Sequence, residues 1–315
     1  MRGKQMISRQ KIHAKGPELS RLVWGAWRAL DSADTNTPEK LARMISACLD
    51  LGISSFDQAD IYGGYHVEDL FGAALALAQV YRPKIELISK FDILINDRAK
   101  LNGAAPERLG IKHYDTSSAY MHKAVETSLK ALRTDYLDLL LVHRPDIFMD
   151  ADETARGLQE LVQQGKVRAI GVSNHSVSQF NLLQSRLDLP LVTNQIEVSV
   201  LETKAFYDGT LDQAQQMRAA PMIWSPLGGG ALFSGPGDQA KRVRAVLERM
   251  ASERGIADIG VVALAWLLAH PARMVPVLGT SNMARLKDYA GALEVGLSRI
   301  DWFEILAASE GHEVP

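Results

Sequence analysis

Four side chains in this sequence could together place a proton on a carbonyl oxygen: Asp57, Tyr62, Lys90 and His143. A free phenol has a pKa of about 10, too high for efficient proton donation at neutral pH. A lysine ammonium beside Tyr62 favours the phenolate and is expected to lower that value. Asp57 would hold the ammonium in place and keep it charged, and His143 would hydrogen-bond the oxygen on which negative charge develops. No amino-acid side chain donates hydride, so a reduction run by this set implies a nicotinamide cofactor. Taken singly, each residue has a plainer reading. A lysine ending a strand is more often a surface charge, and a lone histidine more often structural. The pattern in which they recur carries more weight than any one of them.

That pattern is set by the elements. In the stretch from Gly52 to Glu68, the apolar run Ile53–Asp57 reads as a buried strand ending on a carboxylate. Tyr62 then precedes Gly63-Gly64, where the chain can turn tightly and hold the hydroxyl in an open cleft. A helix follows, with Val67, Leu70, Phe71, Ala74 and Leu75 at helical spacing. Further strands are expected at Arg21–Ala26, Ile85–Lys90, Leu137–His143, Val167–Val172, Leu191–Ile196, Pro221–Trp224 and Met274–Leu278. Nearly all are separated by helical stretches. One runs from Pro38 to Leu51, with Thr37 as N-cap, Pro38 at the first helical position and Gly52 at the stop. Others cover Thr116–Leu132, Asp152–Gln164, Ser176–Arg186, Asp238–Arg254, Asp258–Ala269 and Asn282–Leu293, and one more piece lies around Trp302. Residues 6–16 suggest a short hairpin. Residues 91–115 form a long segment with few apolar anchors, a length usually reserved for lids or binding loops.

Continuous apolar strands alternating with helices imply a parallel α/β sheet. Eight such units point to a closed (β/α)8 TIM barrel, one domain over residues 1–315. A doubly wound open sheet is the alternative, but no strand runs into a Gly-x-Gly-x-x-Gly turn. In a barrel the active site lies at the C-terminal strand ends. These are Asp57, Lys90, His143, the Ser173-Asn174 pair, Gln195 and the Trp224-Ser225 pair, and the barrel would converge them on one mouth.

Composition narrows the partners. The chain has 315 residues, 47% apolar and 23% charged, with a net charge of −2 and no long charge block. That argues against a dedicated nucleic-acid or membrane-surface protein. Cys48 is the only cysteine, in an apolar helical stretch, so an intramolecular disulfide or a multi-thiolate zinc site is excluded. No other histidine shows metal-ligand spacing, and no metal site is assigned. With no signal-peptide pattern and no transmembrane run, a cytoplasmic location is expected.

Several ordered blocks resemble the aldo-keto reductase family over nearly the whole chain. They are Gly52–Gly63, Leu87–Lys90, Ser128–His143, Gly165–Asn174, Asn194-Gln195, Trp224–Gly228 and Gly279–Arg285. Within the family, Ala59–Tyr65, His143–Asp146 and Trp224–Gly230 are similar to the bacterial YdhF-type oxidoreductases. The resemblance implies a (β/α)8 barrel that uses NADPH to reduce aldehydes or ketones, with NADH the less favoured cofactor. Tyr62 matches the proton donor, and Asp57, Lys90 and His143 match its partners. Gly25, Ala26, Trp27 and Asp57 fall among the cofactor-binding positions. Ser173, Asn174 and Gln195 match the residues that hold the nicotinamide carboxamide, and Trp224 the aromatic ring stacked on it. Ser225, Pro226, Leu227 and Gly228 match the loop over the pyrophosphate. Gly279, Thr280, Ser281 and Arg285 match the segment around the adenosine 2′-phosphate, where a helix N-terminus and a guanidinium suit an anion. One departure is Gly279, where many members carry lysine. Trp27, Tyr65 and the 91–115 segment are expected to touch substrate.

The expected partner is therefore a small carbonyl compound, with the protein a monomer or small homo-oligomer. A second reading is a cofactor-bound, redox-sensing or interaction subunit with little turnover, a role some relatives on this fold have. A (β/α)8 lyase or hydrolase would need a metal or phosphate site that the sequence does not offer.

Overall fold

The computed structural model describes residues 6–95 and 111–313. Eight parallel strands close into a barrel: Val23–Gly25, Ser55–Asp57, Glu86–Phe91, Leu139–Val142, Ile170–Ser173, Leu191–Glu197, Met222–Trp224 and Val275–Leu278. They are neighbours in chain order, and the last pairs with the first. Several are shorter than their apolar runs. The first keeps only Val23–Gly25 of the expected Arg21–Ala26, because Arg21 instead bonds Ser8 and Ala26 turns to donate to the Asp57 carbonyl.

The helices form where local signals ask for them. The Pro38–Leu51 helix is capped by the Thr37 side chain and buries Leu41, Met44, Ile45 and Cys48. It ends on Gly52 at φ 86°, where a Cβ would lie 2.8 Å from the Ile7 backbone, so only glycine serves. The Thr116–Leu132 expectation becomes Ser118–Leu132 with Ser117 as the cap. Among the described residues no helix is long and apolar enough to cross a membrane.

The hairpin exists, but it pairs Arg9–Lys11 with Glu18–Ser20 rather than closing within residues 6–16. Its Ile12 and Leu19 pack with Val23, Ile88, Leu139, Leu141, Met222, Val275 and Val277, closing the bottom of the barrel interior. The helix-facing side chains of the same strands, such as Trp24, Phe56, Leu87 and Leu140, belong to a separate outer cluster. Inward and outward positions thus alternate, as a strand's period of two requires. Within 91–115, Ile93–Leu94 pairs antiparallel with His113–Tyr114. The middle of that expected binding segment, residues 96–110, lies outside the described residues.

Candidate active site

Alternation decides which residues reach the mouth. Ile88 fills the interior and Lys90, two residues on, stands above it. Leu139 and Leu141 lead likewise to His143, and Met222 leads to Trp224. The sixth strand needs a correction to its period. Val192 packs in the interior, so simple alternation would turn Gln195 outward. An extra residue between Leu191 and Asn194, opposite Ile170–Val172, shifts the register and brings Gln195 back inside.

Asp57, Tyr62, Lys90 and His143 meet at this end. The Lys90 ammonium donates to Asp57 Oδ2 at 2.7 Å, to the Gln58 carbonyl at 2.7 Å and to the Tyr62 hydroxyl at 3.0 Å. All three of its donors are therefore engaged. Gln195 Nε2 donates to the other Asp57 oxygen at 2.8 Å. His143 stands edge-on to Tyr62, ring centroids 6.0 Å apart. Tyr62 is not in an extended loop. It opens a four-residue helical turn, Tyr62–Tyr65, that passes through Gly63 and Gly64 at positive φ.

Burial sets the protonation states. It raises the Tyr62 phenol above its ordinary value, and the opposing pull of Lys90 does not overcome it. The expected lowering is thus corrected: desolvation of the phenolate outweighs one neighbouring cation. Burial alone would lower Lys90, but Asp57 and Tyr62 hold it above its usual value, so it stays charged. Burial, with Lys90 and Arg144 nearby, drives His143 well below the ordinary histidine value, leaving a neutral imidazole.

Beside this group Ser173 Oγ donates to the Gln195 carbonyl, Asn174 Nδ2 to Ser173 Oγ at 2.8 Å, and Trp224 Nε1 to Asn174 Oδ1 at 2.8 Å. A cleft of about 480 Å³ is lined by Tyr62 and His143, by Trp224 through Leu227, and by Gly279, Thr280 and Arg285. Ser225 and Gly228–Gly230 all have positive φ, which folds this loop back along the cleft. A Cβ on Gly229, Gly230 or Gly279 would meet nothing within 4 Å, so the cleft is open at these points. Arg285 lies in the first turn of the Met283–Ala290 helix, which Asn282 caps.

Not every expected residue lines the cleft. Gly25 and Trp27 do, but Ala26 is fully buried behind them. Gly228 shapes the loop without lining the cleft, and Lys90 lies beneath it, 1% exposed. Ser281 is not in the lining either, and its Oγ accepts from Ser32 Oγ at 2.8 Å. Tyr65 spends its hydroxyl on Ile93 and Ile95, holding that segment rather than facing the cleft. Conversely, Arg28, Ile61, Arg144, Phe233 and Tyr289 line the cleft without having been expected, while Ile93 does so from the expected 91–115 segment. Arg144 had one available signal, its place directly after His143. Tyr289 stands one helical turn after Arg285, and Phe233 three residues after Gly230, so each lies beside a segment already singled out.

A barrel with this arrangement at its C-terminal mouth is that of a nicotinamide-dependent oxidoreductase. The profile of the aldo/keto reductase family matches residues 21–310, and the chain belongs to this family of NAD(P)H-dependent enzymes that act on carbonyl compounds. It is 48% identical to the 6-dehydroglucose reductase of Agrobacterium fabrum, over 94% of this chain and 96% of that one. It is 43% identical to the oxidoreductase YdhF of Escherichia coli, over 98% of this chain and 100% of that one. Among solved structures, an aldo/keto reductase from Klebsiella pneumoniae in complex with NADP and acetate superposes with a TM-score of 0.73 at 25% identity, covering 97% of this chain and 96% of the other.

Proposed function

We propose that this protein reduces an aldehyde or ketone with NADPH, and that Tyr62 gives the proton to the carbonyl oxygen. The observation that carries the reading is the Lys90 ammonium held 2.7 Å from Asp57 and 3.0 Å from the Tyr62 hydroxyl. When bound, NADPH supplies the hydride that the carbonyl carbon accepts. Tyr62 is protonated at neutral pH, so the donor is loaded. As its proton passes to the carbonyl oxygen, the phenolate forms against a positive charge already in place, with no reorganisation needed. Asp57 fixes that charge, and Gln195 fixes Asp57. His143 is neutral, so it offers a hydrogen bond to the same oxygen without competing as an acid. Water then returns a proton to Tyr62.

The donor set fits the cofactor. Ser173, Asn174 and Gln195 would hold the carboxamide and Trp224 would face the nicotinamide ring. The turn from Ser225 to Gly228 would follow the pyrophosphate, with Gly25 and Trp27 across the cleft. Thr280, Ser281 and Arg285 would hold the 2′-phosphate at the start of the Met283–Ala290 helix. Arg285 makes no salt bridge among the described residues, so its charge is available to an anion. NADPH in preference to NADH rests on this guanidinium.

The test follows NADPH and NADH absorbance with a panel of aldehydes and ketones, 6-dehydroglucose among them because of the A. fabrum relative. Tyr62→Phe should lower kcat by roughly 10²- to 10⁴-fold while NADPH still binds. NADPH binding without turnover of any carbonyl would instead favour a redox-sensing subunit. Binding of neither nucleotide would sink both readings.

A further inference from the structure

Arg144 is an unexpected cation of the cleft. It follows His143 directly and is half-buried, and its guanidinium carbon lies 5.9 Å from the centre of the Trp224 ring. Its charge acts on both Tyr62 and His143, which places it at the catalytic end rather than at Arg285. A guanidinium carries five donors and no acceptor. Among the described residues none of the Arg144 side-chain donors has a hydrogen-bond or salt-bridge partner. Glu197 is close enough for the two charges to interact, yet they form no salt bridge.

Among the described residues, no other group lining the cleft supplies the missing acceptor charge. Asp57 is already neutralised by Lys90 at 2.7 Å, while Arg28 and Arg285 add two further positive charges to the lining. The base of Arg144 is also held firmly. Its backbone N–H donates to Asp92 Oδ2 at 2.9 Å, and Asp92 is fully buried with a φ of 109°. A non-glycine residue held in that region is strained, and such strain persists only where the surroundings impose it. The arginine therefore projects from a fixed point beside the reacting group, and a partly desolvated cation without an acceptor favours a ligand that brings one.

We propose that Arg144 is a specificity-determining residue that donates to an oxygen substituent on the carbon chain of the carbonyl substrate. The protein would then prefer oxygen-bearing aldehydes, whether hydroxylated or carboxylated, over hydrocarbon aldehydes. A hydrocarbon chain leaves the guanidinium unpaired as water is excluded, whereas an oxygen acceptor satisfies it. This inference rests on the carbonyl-reductase reading above.

The test measures kcat/KM with NADPH for three small aldehydes: glyceraldehyde, 4-oxobutanoate and butanal. One charge-assisted hydrogen bond predicts that glyceraldehyde, 4-oxobutanoate or both exceed butanal by about tenfold or more, chiefly through KM. Which of the two gains tells whether the acceptor is hydroxyl or carboxylate. Arg144→Gln should reduce the ratio to butanal by a similar factor, and Arg144→Lys, which keeps the charge but loses the fork, should fall between. Equal kcat/KM for all three aldehydes in the wild type would overturn the inference while leaving the carbonyl-reductase reading intact. An unchanged ratio in Arg144→Gln would do the same, as would tenfold weaker NADPH binding, which would assign the guanidinium to the cofactor. Tight NADPH binding with no turnover of any aldehyde would overturn the parent reading and this inference with it.

Discussion

Replacing Lys90 by methionine should destabilise the protein as well as inactivate it. Lys90 and Asp57 are 1% and 3% exposed and only 2.7 Å apart. Removing the ammonium leaves Asp57 in the barrel with Gln195 as its remaining side-chain partner, and takes a donor from both Tyr62 and the Gln58 carbonyl. Water cannot readily replace those contacts. Stranding one member of a buried ion pair costs about 3–5 kcal/mol. Asp57→Asn strands the ammonium instead and should cost a comparable amount. The double variant carries neither charge, so it should be more stable than the sum of the single effects predicts, by ~1–3 kcal/mol. Urea unfolding of the four proteins, followed by tryptophan fluorescence, measures each term. Lys90→Met within about 0.5 kcal/mol of wild type, the range of an ordinary surface substitution, would refute the buried-pair reasoning. Strict additivity in the double variant would refute the coupling.

Three further outcomes are expected. Burial lowers His175 from 6.5 to about 4, and it sits directly after Ser173-Asn174 with its Nε2 buried and without a hydrogen-bond partner among the described residues. The unfolded chain therefore binds a proton that the folded chain refuses. Stability is intact above pH 6.5 and falls by ~3 kcal/mol as the pH drops toward 4; urea midpoints against pH should show this slope, and His175→Gln should flatten it. Gly279→Lys should tighten NADPH binding about fivefold and leave NADH unchanged, because a Cβ there meets nothing within 4 Å and the added charge joins the segment proposed to hold the 2′-phosphate, which NADH lacks. Fluorescence titration of both nucleotides checks this. Asp92→Gly should relieve about 1–2 kcal/mol of backbone strain yet lower kcat/KM for the oxygen-bearing aldehydes, because the Arg144 N–H loses its acceptor. Asp92→Asn should restore the rate, and a Gly variant as active as wild type would show that the carboxyl positions nothing.

Much of the architecture was legible along the chain because it is written at short range. Apolar runs of strand length, the Thr37-Pro38 start and the Gly52 stop each act over a few residues, and each is where it was expected. So are the polar ends of the strands, since a run that is buried on both faces can turn polar only where it reaches the mouth. From these alone Asp57, Lys90, His143 and Trp224 could be assigned to one end of a barrel.

Other features depend on contacts between distant segments. Gln195 faces inward only because the sixth strand carries an extra residue against the fifth, which no local pattern announces. Tyr65 was expected at the substrate but is held by Ile93 and Ile95, nearly thirty positions away. The state of Tyr62 shows the physical reason most directly. The identity of its neighbour, Lys90, could be inferred from strand ends, and a neighbouring cation lowers a phenol's pKa. The degree of burial could not be inferred, because it is set by every segment that packs around the ring, and it is burial that wins. The sequence by itself determined which chemical groups are present and which strand end each occupies. Tertiary structure alone decided how far each group is desolvated, which of them hydrogen-bond to one another, and that the Arg144 side chain stands beside them with no hydrogen bond or salt bridge among the described residues.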